Sequence, residues 1–383
     1  MLVRDHDRHH AAAARRARPS PLNDAVGPGP TSSTFGVYVH IPFCAARCDY
    51  CAFATWTDRH HLHDAYARAC ITEIERADLP PATSVFFGGG TPSLIAPELL
   101  GSILDAIPRS PGAEVTVECN PDTVSRASLS TYSAAGVNRL SFGVQSMRPN
   151  VLRSLGRAHD PAAVERAVDA ARSAGFDSWN ADLIYGGAGE TLDDWRRTLD
   201  GVLALDPPHV SAYALTIEPG TPLAGDTSRH PDDDDQADKY VIADEVLSWA
   251  GREWYEVSNW ALPGHECRHN QLYWSGDAYR GIGCAAHSFD GSRRWWNVRT
   301  PDRYVALVEA GASVEAAGES LDHDARRVEQ LSLAIRTRHG VPAAALPSEE
   351  RRGVEELVAE RDGRIVLTRK GRLLANEVAL RLR

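Results

Sequence analysis

From residue 35 onward the chain alternates short apolar runs with longer stretches in which apolar residues recur every three or four positions. β-Branched and aromatic residues crowd positions 36–41, 84–88, 114–119, 139–144, 178–185 and 209–215, each run about the length of one strand. Between and after them, segments rich in Ala, Glu and Arg at 60–77, 97–107, 125–135, 161–174, 191–204 and 235–250 carry the helical period. Strands alternating with helices predict parallel pairing through right-handed crossovers. Six units in a row predict an α/β fold of the barrel type, a partial (β/α)6 relative of the TIM barrel, rather than a flat doubly wound sheet.

The rhythm breaks after residue 250. Residues 253–298 are dense in Trp, Tyr, Gly and His with little period, so 253–320 is expected to be an aromatic, histidine-bearing connection that follows a barrel over 35–252. Residues 321–383 predict a small separate α+β unit: a helix over 324–338, another near 349–361, a hairpin in "GRIVLTRKGRL" and a terminal helix. That order is winged-helix-like, an arrangement common in DNA readers. A net charge of −11 argues against nucleic acid as a partner, because such readers present a basic footprint. The acidic run at 231–240 is most simply a solvated helix start, where carboxylates meet the positive end of the helix dipole.

Residues 1–34, rich in Ala, Arg, Pro and Ser, predict a disordered extension. Arg15 and Arg16 are not followed by the apolar region that a twin-arginine signal needs. No run of 18 apolar residues exists to span a membrane. The chain is therefore expected in the cytoplasm with its thiols reduced.

The chemistry-bearing residues fall in one class of place. "CAARCDYC" follows the first predicted strand and "GGGTP" the second. "ECNPD", "FGVQS", "ADLIYGG" and "ALTIEPGTPL" close the third to the sixth. All six lie at the C-terminal ends of strands, the rim on which β/α barrels carry their sites.

Three of the seven cysteines, Cys44, Cys48 and Cys51, stand in the spacing C-x3-C-x2-C. A [4Fe–4S] cube has four irons to ligate, so three thiolates leave one iron open for a small chelating molecule. Zinc is the competing metal; a structural zinc wants four ligands, and His40 is the nearby candidate for the fourth. Gly88, Gly89, Gly90 and Thr91 form a loop whose backbone can come close to a ligand with its N–H groups available. Glu118 closes the third strand with a carboxylate able to accept from an amine or from ribose hydroxyls. Cys70, Cys119 and Cys284 are isolated and predicted to be buried fillers.

The three-cysteine loop, with Tyr50 just before its last thiol, resembles the radical S-adenosylmethionine superfamily. "YVHIPFC", "FFGGGTPSL", "RLSFGVQS", "LGRAH", "DLIYG", "EPGTPL", "HNQLYW" and "GIGCAAHSF" narrow the likeness to the oxygen-independent coproporphyrinogen dehydrogenase-like proteins, and to their heme-chaperone branch. The likeness is strong over about residues 36–300 and looser in the C-terminal unit. It implies a partial (β/α)6 radical S-adenosylmethionine barrel with a small winged-helix-like α+β domain behind it. It also implies a [4Fe–4S] cluster on the three cysteines and S-adenosylmethionine on its open iron, with the Gly89, Gly90 and Thr91 loop at the methionine end. Glu118, Gln145, Arg157 and Asp182 would contact the nucleoside or a second ligand molecule, with Tyr38, Tyr50 and Ala214 lining the same volume. Two departures stand out: Ala188 where relatives commonly carry proline, and Cys284 where a small residue is usual.

"CRHNQLYW" places His269 and Tyr273 four apart, on one helix face. His269, with Cys267 beside it, is a candidate heme-iron ligand, and the H-N-x-x-Y-W pattern resembles the segment linked to heme in the chaperone branch. "RWWNV" at 294–298 is read as packing rather than as a porphyrin contact.

Two functions share this barrel: decarboxylation of coproporphyrinogen III, and carriage of heme to an acceptor protein. The dehydrogenase branch resembles C-x3-C-x2-C-x-C, whereas this chain places Phe53 at the last position. The likeness therefore implies a heme chaperone without dehydrogenase activity. Its partners would be heme, a heme-acceptor protein, an electron donor for the cluster and, transiently, a membrane surface. A DNA-binding iron–sulfur sensor is disfavoured, because a sensor has no use for a glycine-rich ligand rim.

Overall fold

A computed structural model describes residues 34–157 and 160–382; the disorder expected of 1–34 lies, Thr34 apart, outside them. Six strands run parallel and pair in chain order: β1 (Phe35–Ile41), β2 (Ala82–Gly89), β3 (Arg109–Cys119), β4 (Arg139–Gln145), β5 (Trp179–Tyr185) and β6 (His209–Ala214). The crossovers carry α1 (His63–Arg76), α2 (Pro97–Asp105), α3 (Arg126–Ala135), α4 (Pro149–Ser154), α5 (Pro161–Ser173) and α6 (Leu192–Leu203), and α7 (Asp233–Trp249) follows β6. Their starts are local chemistry: Ser125 and Thr191 form capping boxes, and Asp160 and Asp232 accept from backbone N–H groups of the first turn. The acidic run at 231–240 is indeed the start of α7. The six-residue α4 was not expected, being too short for its period to show.

Alternation along each strand divides the sheet into two environments. Val37, Val39 and Ile41, Val85 and Phe87, Val115 and Val117, Leu140, Phe142 and Val144 are buried in the core shared with the helices. The intervening positions face the lumen and are mostly polar: Tyr38 and His40, Ser84, Glu114 and Glu118, Arg139 and Ser141, Asn180 and Asp182, His209, Ser211 and Tyr213, with Phe86 an aromatic among them. A lumen this polar is a place for ligands or hydrogen-bond networks more than for packing.

The sheet does not stop where the βα rhythm does. β7 (Glu253–Glu256) and β8 (Asn259–Ala261) add a hairpin beyond β6. α8 (Arg268–Ser275) follows, and β9 (Ala278–Ile282) then pairs parallel with β1 at the opposite edge. β10 (His287–Phe289), β11 (Arg293–Asn297), α9 (Pro301–Glu309) and β12 (Glu315–Ser320) complete a sheet of 12 strands ordered β12-β11-β10-β9-β1-β2-β3-β4-β5-β6-β8-β7. Residues 253–320 therefore build both edges of the sheet. No period showed because these strands are three to six residues long. Glu73 on α1 ties the extension down, accepting from Gly283 N–H at 2.9 Å, Asn297 Nδ2 at 3.0 Å and Tyr304 Oη at 2.6 Å.

At the C-terminal end α10 (His323–Ala334) precedes β13 (Val341–Pro342), β14 (Val358–Arg361), β15 (Arg364–Leu367), α11 (Arg369–Leu373) and α12 (Ala375–Ala379). The three strands are ordered β13-β15-β14 over a core of Ile335, Val341, Ile365 and Val378. The helix expected at 349–361 does not form: Glu355–Leu357 is a single 3-10 turn and 358–361 is strand. Asp362 and Gly363, at φ 49° and 74°, close a two-residue hairpin there. Such an Asp-Gly turn overrides the helix propensity of the glutamates before it.

Candidate functional site

The cysteine loop leaves the C-terminal end of β1 and is held from three sides. Cys44 N–H donates to Trp56 O at 3.1 Å, and Trp56 N–H to Pro42 O at 2.7 Å. Asp49 N–H reaches Leu155 O at 3.4 Å, the Asp49 carbonyl accepts from Leu223 N–H at 3.0 Å, and its carboxylate takes the Arg229 guanidinium at 2.7 Å. Cys44, Cys48 and Cys51 are all partly exposed, unlike the other four cysteines, which are buried. Each of the three sulfurs has a neighbour: Thr91 Oγ1 3.7 Å from Cys44, Arg157 Nη1 3.6 Å from Cys48, and the Phe53 N–H at Cys51. Burial pushes the Cys44 thiol up, and the Cys51 thiol to about 11, so thiolates here need a cation to hold them.

The donor set fits a cluster better than zinc. A mononuclear zinc with Zn–S bonds near 2.3 Å draws its sulfurs to about 3.8 Å of one another, whereas a cube gives each thiolate its own iron. Among the described residues no three His, Cys, Asp or Glu side chains converge as a single ion requires. His40 is also committed elsewhere: its Nδ1 lies 3.1 Å from the Tyr38 hydroxyl and its Nε2 2.9 Å from Ala54 O. Burial lowers its pKa to about 4.

The glycine loop after β2 differs from expectation. Its N–H groups are spent within the protein: Gly89 on Glu118 Oε2 at 3.0 Å, Gly90 on Ile41 O at 2.8 Å and Thr91 on Phe43 O at 2.8 Å. Glycine is required for a different reason, since a Cβ on Gly90 would lie 2.6 Å from the Phe43 carbonyl oxygen. Gly89 combines φ 111° with a Cβ position 2.4 Å from the His40 ring. The loop seats the cysteine loop against β2 and fixes where Thr91 stands.

Below the rim, Glu118 and Asp182 face each other across the lumen. Burial, then the Asp182 charge, pushes the Glu118 carboxyl up to about 8, partly offset by the Gly89 N–H. Burial also raises Asp182, against donors from Ser141 Oγ at 2.6 Å and Asn180 Nδ2 at 2.8 Å. Asn180 Oδ1 in turn accepts from His209 Nδ1 at 2.7 Å, and His209 Nε2 meets the Tyr255 hydroxyl at 2.8 Å. Gln145 sits at φ 64° on a bulge opposite β5, a strained backbone of the kind found at ligand sites. Arg157 Nη2 donates to Gly143 O at 2.8 Å, which brings its guanidinium to the rim and not to a helix surface. Tyr50 packs on the small buried cluster of Val151, Leu155, Ile184, Leu215 and Leu223, beside Arg157 and Cys48.

The structure gathers Tyr38, Tyr50, the three cysteines, Gly89, Gly90, Thr91, Glu118, Gln145, Arg157 and Asp182 around this one mouth. Ala214 is the exception at the rim: its side chain packs into the helix-side core, and Tyr213, one residue earlier, faces the lumen beside Asp182. The period of two along β6 was the signal for Tyr213, Ser211 and His209. Arg139, buried at the base of the lumen, shows the same alternation on β4.

His269 is not at the mouth. α8 lies across the N-terminal ends of β1 and β2, and a Cβ on Gly36 would come within 3.1 Å of the His269 ring. The rest of β1 to its end at Ile41 separates that level from the rim by roughly 17 Å. His269 is 1% exposed, with Nδ1 2.9 Å from Ser84 Oγ and Nε2 2.9 Å from the Tyr273 hydroxyl. Phe86 stacks on the ring, and burial lowers its pKa to about 3. Glu114 from β3 caps the helix, accepting from Arg268 N–H at 3.1 Å, His269 N–H at 3.2 Å and Cys267 Sγ at 3.5 Å. The expected heme patch on His269 and Cys267 is instead a plug in the barrel base, because both His269 nitrogens and the Cys267 thiol are committed inward.

The partial (β/α)6 barrel with three thiols on the loop after its first strand defines a radical S-adenosylmethionine protein, and residues 38–202 match the Radical SAM superfamily. Across 365 residues the chain is 43% identical to "Heme chaperone HemW" of Mycobacterium tuberculosis, covering 90% of this chain and 93% of that one. It is 35% identical to the Escherichia coli protein of the same name, over 78% and 84% of the two chains. Among solved structures, the radical SAM coproporphyrinogen III oxidase HemN from Escherichia coli superposes with a TM-score of 0.78 at 24% identity, over 91% and 90% of the chains. The chain belongs to the HemW family of the radical SAM superfamily.

Proposed function

We propose that the protein carries heme to an acceptor protein while holding a [4Fe–4S] cluster on Cys44, Cys48 and Cys51 and S-adenosylmethionine in the lumen mouth. The three thiolates would hold the cluster, and the group would supply reducing power toward a sulfonium bound beside it. This chain's own residues bind and orient. Arg157 offsets thiolate charge at Cys48, and Thr91 donates toward Cys44. Glu118 and Asp182 accept from an ammonium or from ribose hydroxyls, with Gln145 and Tyr38 beside them.

The observation that carries the reading is 43% identity along nine-tenths of the chain to proteins named heme chaperones. Phe53, where the dehydrogenase branch resembles a fourth cysteine, supports the same choice. The alternative, anaerobic dehydrogenation of coproporphyrinogen III, is supported by likeness of fold alone. The further partners are an electron donor for the cluster and, transiently, a membrane surface, with the chain itself in the cytoplasm. No helix among the described residues is long and apolar enough to cross a membrane, while Trp249 stands 92% exposed at the end of α7.

The test is anaerobic reconstitution followed by hemin titration and a coproporphyrinogen III assay on the same preparation. Heme binding without formation of protoporphyrinogen IX is expected; turnover by the wild type overturns the carrier reading. Cys44→Ala, Cys48→Ala and Cys51→Ala should each lose cluster iron while keeping the fold, since the loop lies outside the core.

A further inference from the structure

A heme carrier must offer an imidazole or thiolate to iron, a flat apolar wall to the macrocycle and cations to the propionates. With Cys44, Cys48 and Cys51 given to the cluster, the lumen fails the first condition. Each of its histidines, His40, His209 and His269, has both ring nitrogens engaged by partners within hydrogen-bond distance.

A second concavity meets all three conditions. Between the barrel base and the C-terminal unit lies a cleft of about 430 Å³, lined among others by Gln271 and Trp274 of α8, Arg338, His339 and Arg364. That volume is in the range of small-molecule and cofactor sites. α8 thus sends His269 into the lumen and Trp274 into the cleft. His339 is exposed on the turn between α10 and β13. The turn is fixed on both sides: Arg338 N–H donates to Tyr255 O at 2.9 Å, and Arg364 donates to His339 O at 2.6 Å and Gly340 O at 2.8 Å. Arg338 is paired with Glu266 at 2.7 Å and Glu253 at 3.4 Å, whereas Arg364 makes no carboxylate ion pair among the described residues. Glu256, the carboxylate in the same lining, is pushed up to about 7 by burial. A guanidinium with no carboxylate ion pair, beside an indole and a solvent-facing imidazole, suits an anionic, planar, iron-bearing ligand. Partial burial and the charges of Arg338 and Arg364 lower the His339 pKa, which keeps the ring neutral and able to ligate.

We propose that this cleft holds the heme, with His339 on the iron, Trp274 against the porphyrin and Arg364 on a propionate. The proposal rests on the heme-carrier reading and locates its cargo. An open cleft leaves one edge of the macrocycle in solvent, as transfer to an acceptor requires, and keeps heme away from the S-adenosylmethionine mouth.

The experiment uses full-length, cluster-loaded protein, with hemin difference spectra recorded against the same protein without hemin. Wild type is expected to bind hemin with an imidazole-ligated Soret band. His339→Ala should bind at least roughly ten-fold more weakly, with a shifted Soret band that added imidazole restores. Arg364→Met should weaken binding without shifting the band. His269→Gln, provided it folds, should leave band and affinity near wild type. If wild type binds hemin and His339→Ala matches it in band and affinity, the cleft is overturned while the carrier reading stands. If wild type binds no hemin, both fall.

Discussion

Arg157 reaches the sulfur of Cys48 at 3.6 Å with one nitrogen and the carbonyl of Gly143 at 2.8 Å with another. One guanidinium thus joins the end of β4 to the cysteine loop and places a fixed positive charge beside a thiolate. Removing that charge makes an added electron less welcome. Arg157→Met is expected to lower the cluster midpoint potential by on the order of 50 mV or more, and Arg157→Lys by less. Anaerobic potentiometry checks it; an unchanged potential in Arg157→Met would show the guanidinium to be structural only.

Glu118 titrates far above an ordinary carboxylate, at about 8, because it is buried and faces Asp182. Its folded pKa lies above the unfolded one. The protonated form's contribution is therefore complete below about pH 4.5 and is lost as pH rises through 8. Glu118→Gln removes this loss. It should stabilise the ligand-free protein by on the order of 1–3 kcal/mol at pH 9 and change little at pH 5, as urea denaturation would report. The same variant should bind S-adenosylmethionine more weakly and lose the rise in affinity expected between pH 6.5 and 8.5, where binding an ammonium draws a proton off Glu118.

His269 has the opposite sign. Its folded pKa of about 3 lies below the usual 6.5, so its contribution is complete above pH 6.5 and is lost as pH falls toward 3. His269→Ala should cost roughly 2–4 kcal/mol at neutral pH, since it opens a cavity and leaves Ser84 and Tyr273 without their partner. His269→Gln should flatten the acid limb of the stability profile. Urea midpoints at pH 4.5 and 7.5 decide it: equal losses for both variants at both pH values would contradict the assignment.

Glu73 gathers Gly283, Asn297 and Tyr304 onto α1 and lies 3.5 Å from the Arg280 guanidinium. Glu73→Ala leaves those donors buried without their carboxylate acceptor, Asn297 keeping only its bond to Gly283 O, at an expected cost of about 3 kcal/mol. Because residues 253–320 share the barrel's sheet, unfolding should remain one transition for the barrel and its edge strands. A separate early transition of the extension in hydrogen exchange would refute that.

Much of this protein was legible from its pattern. The β/α alternation placed all six parallel strands to within a few residues, and the six loops at strand C-termini now surround one mouth. Contact partners were less legible. The Gly89, Gly90 and Thr91 N–H groups looked available and are bonded to Glu118, Ile41 and Phe43. Ala214 stood for a strand end whose lumen residue is Tyr213, although the period of two could have shown it.

What the chain determined by itself was whatever depends on neighbours a few positions away: strand and helix periods, the capping residues Ser125 and Thr191, the Asp362-Gly363 turn and the spacing of Cys44, Cys48 and Cys51. Tertiary structure alone decided that His269 turns inward to Ser84, 185 residues earlier in the chain, while Trp274 on the same short helix turns outward to a cleft beside His339. Residue type names the chemistry a histidine can do. Whether its nitrogens are open to a ligand depends on groups brought beside it by folding, and no local pattern contains them.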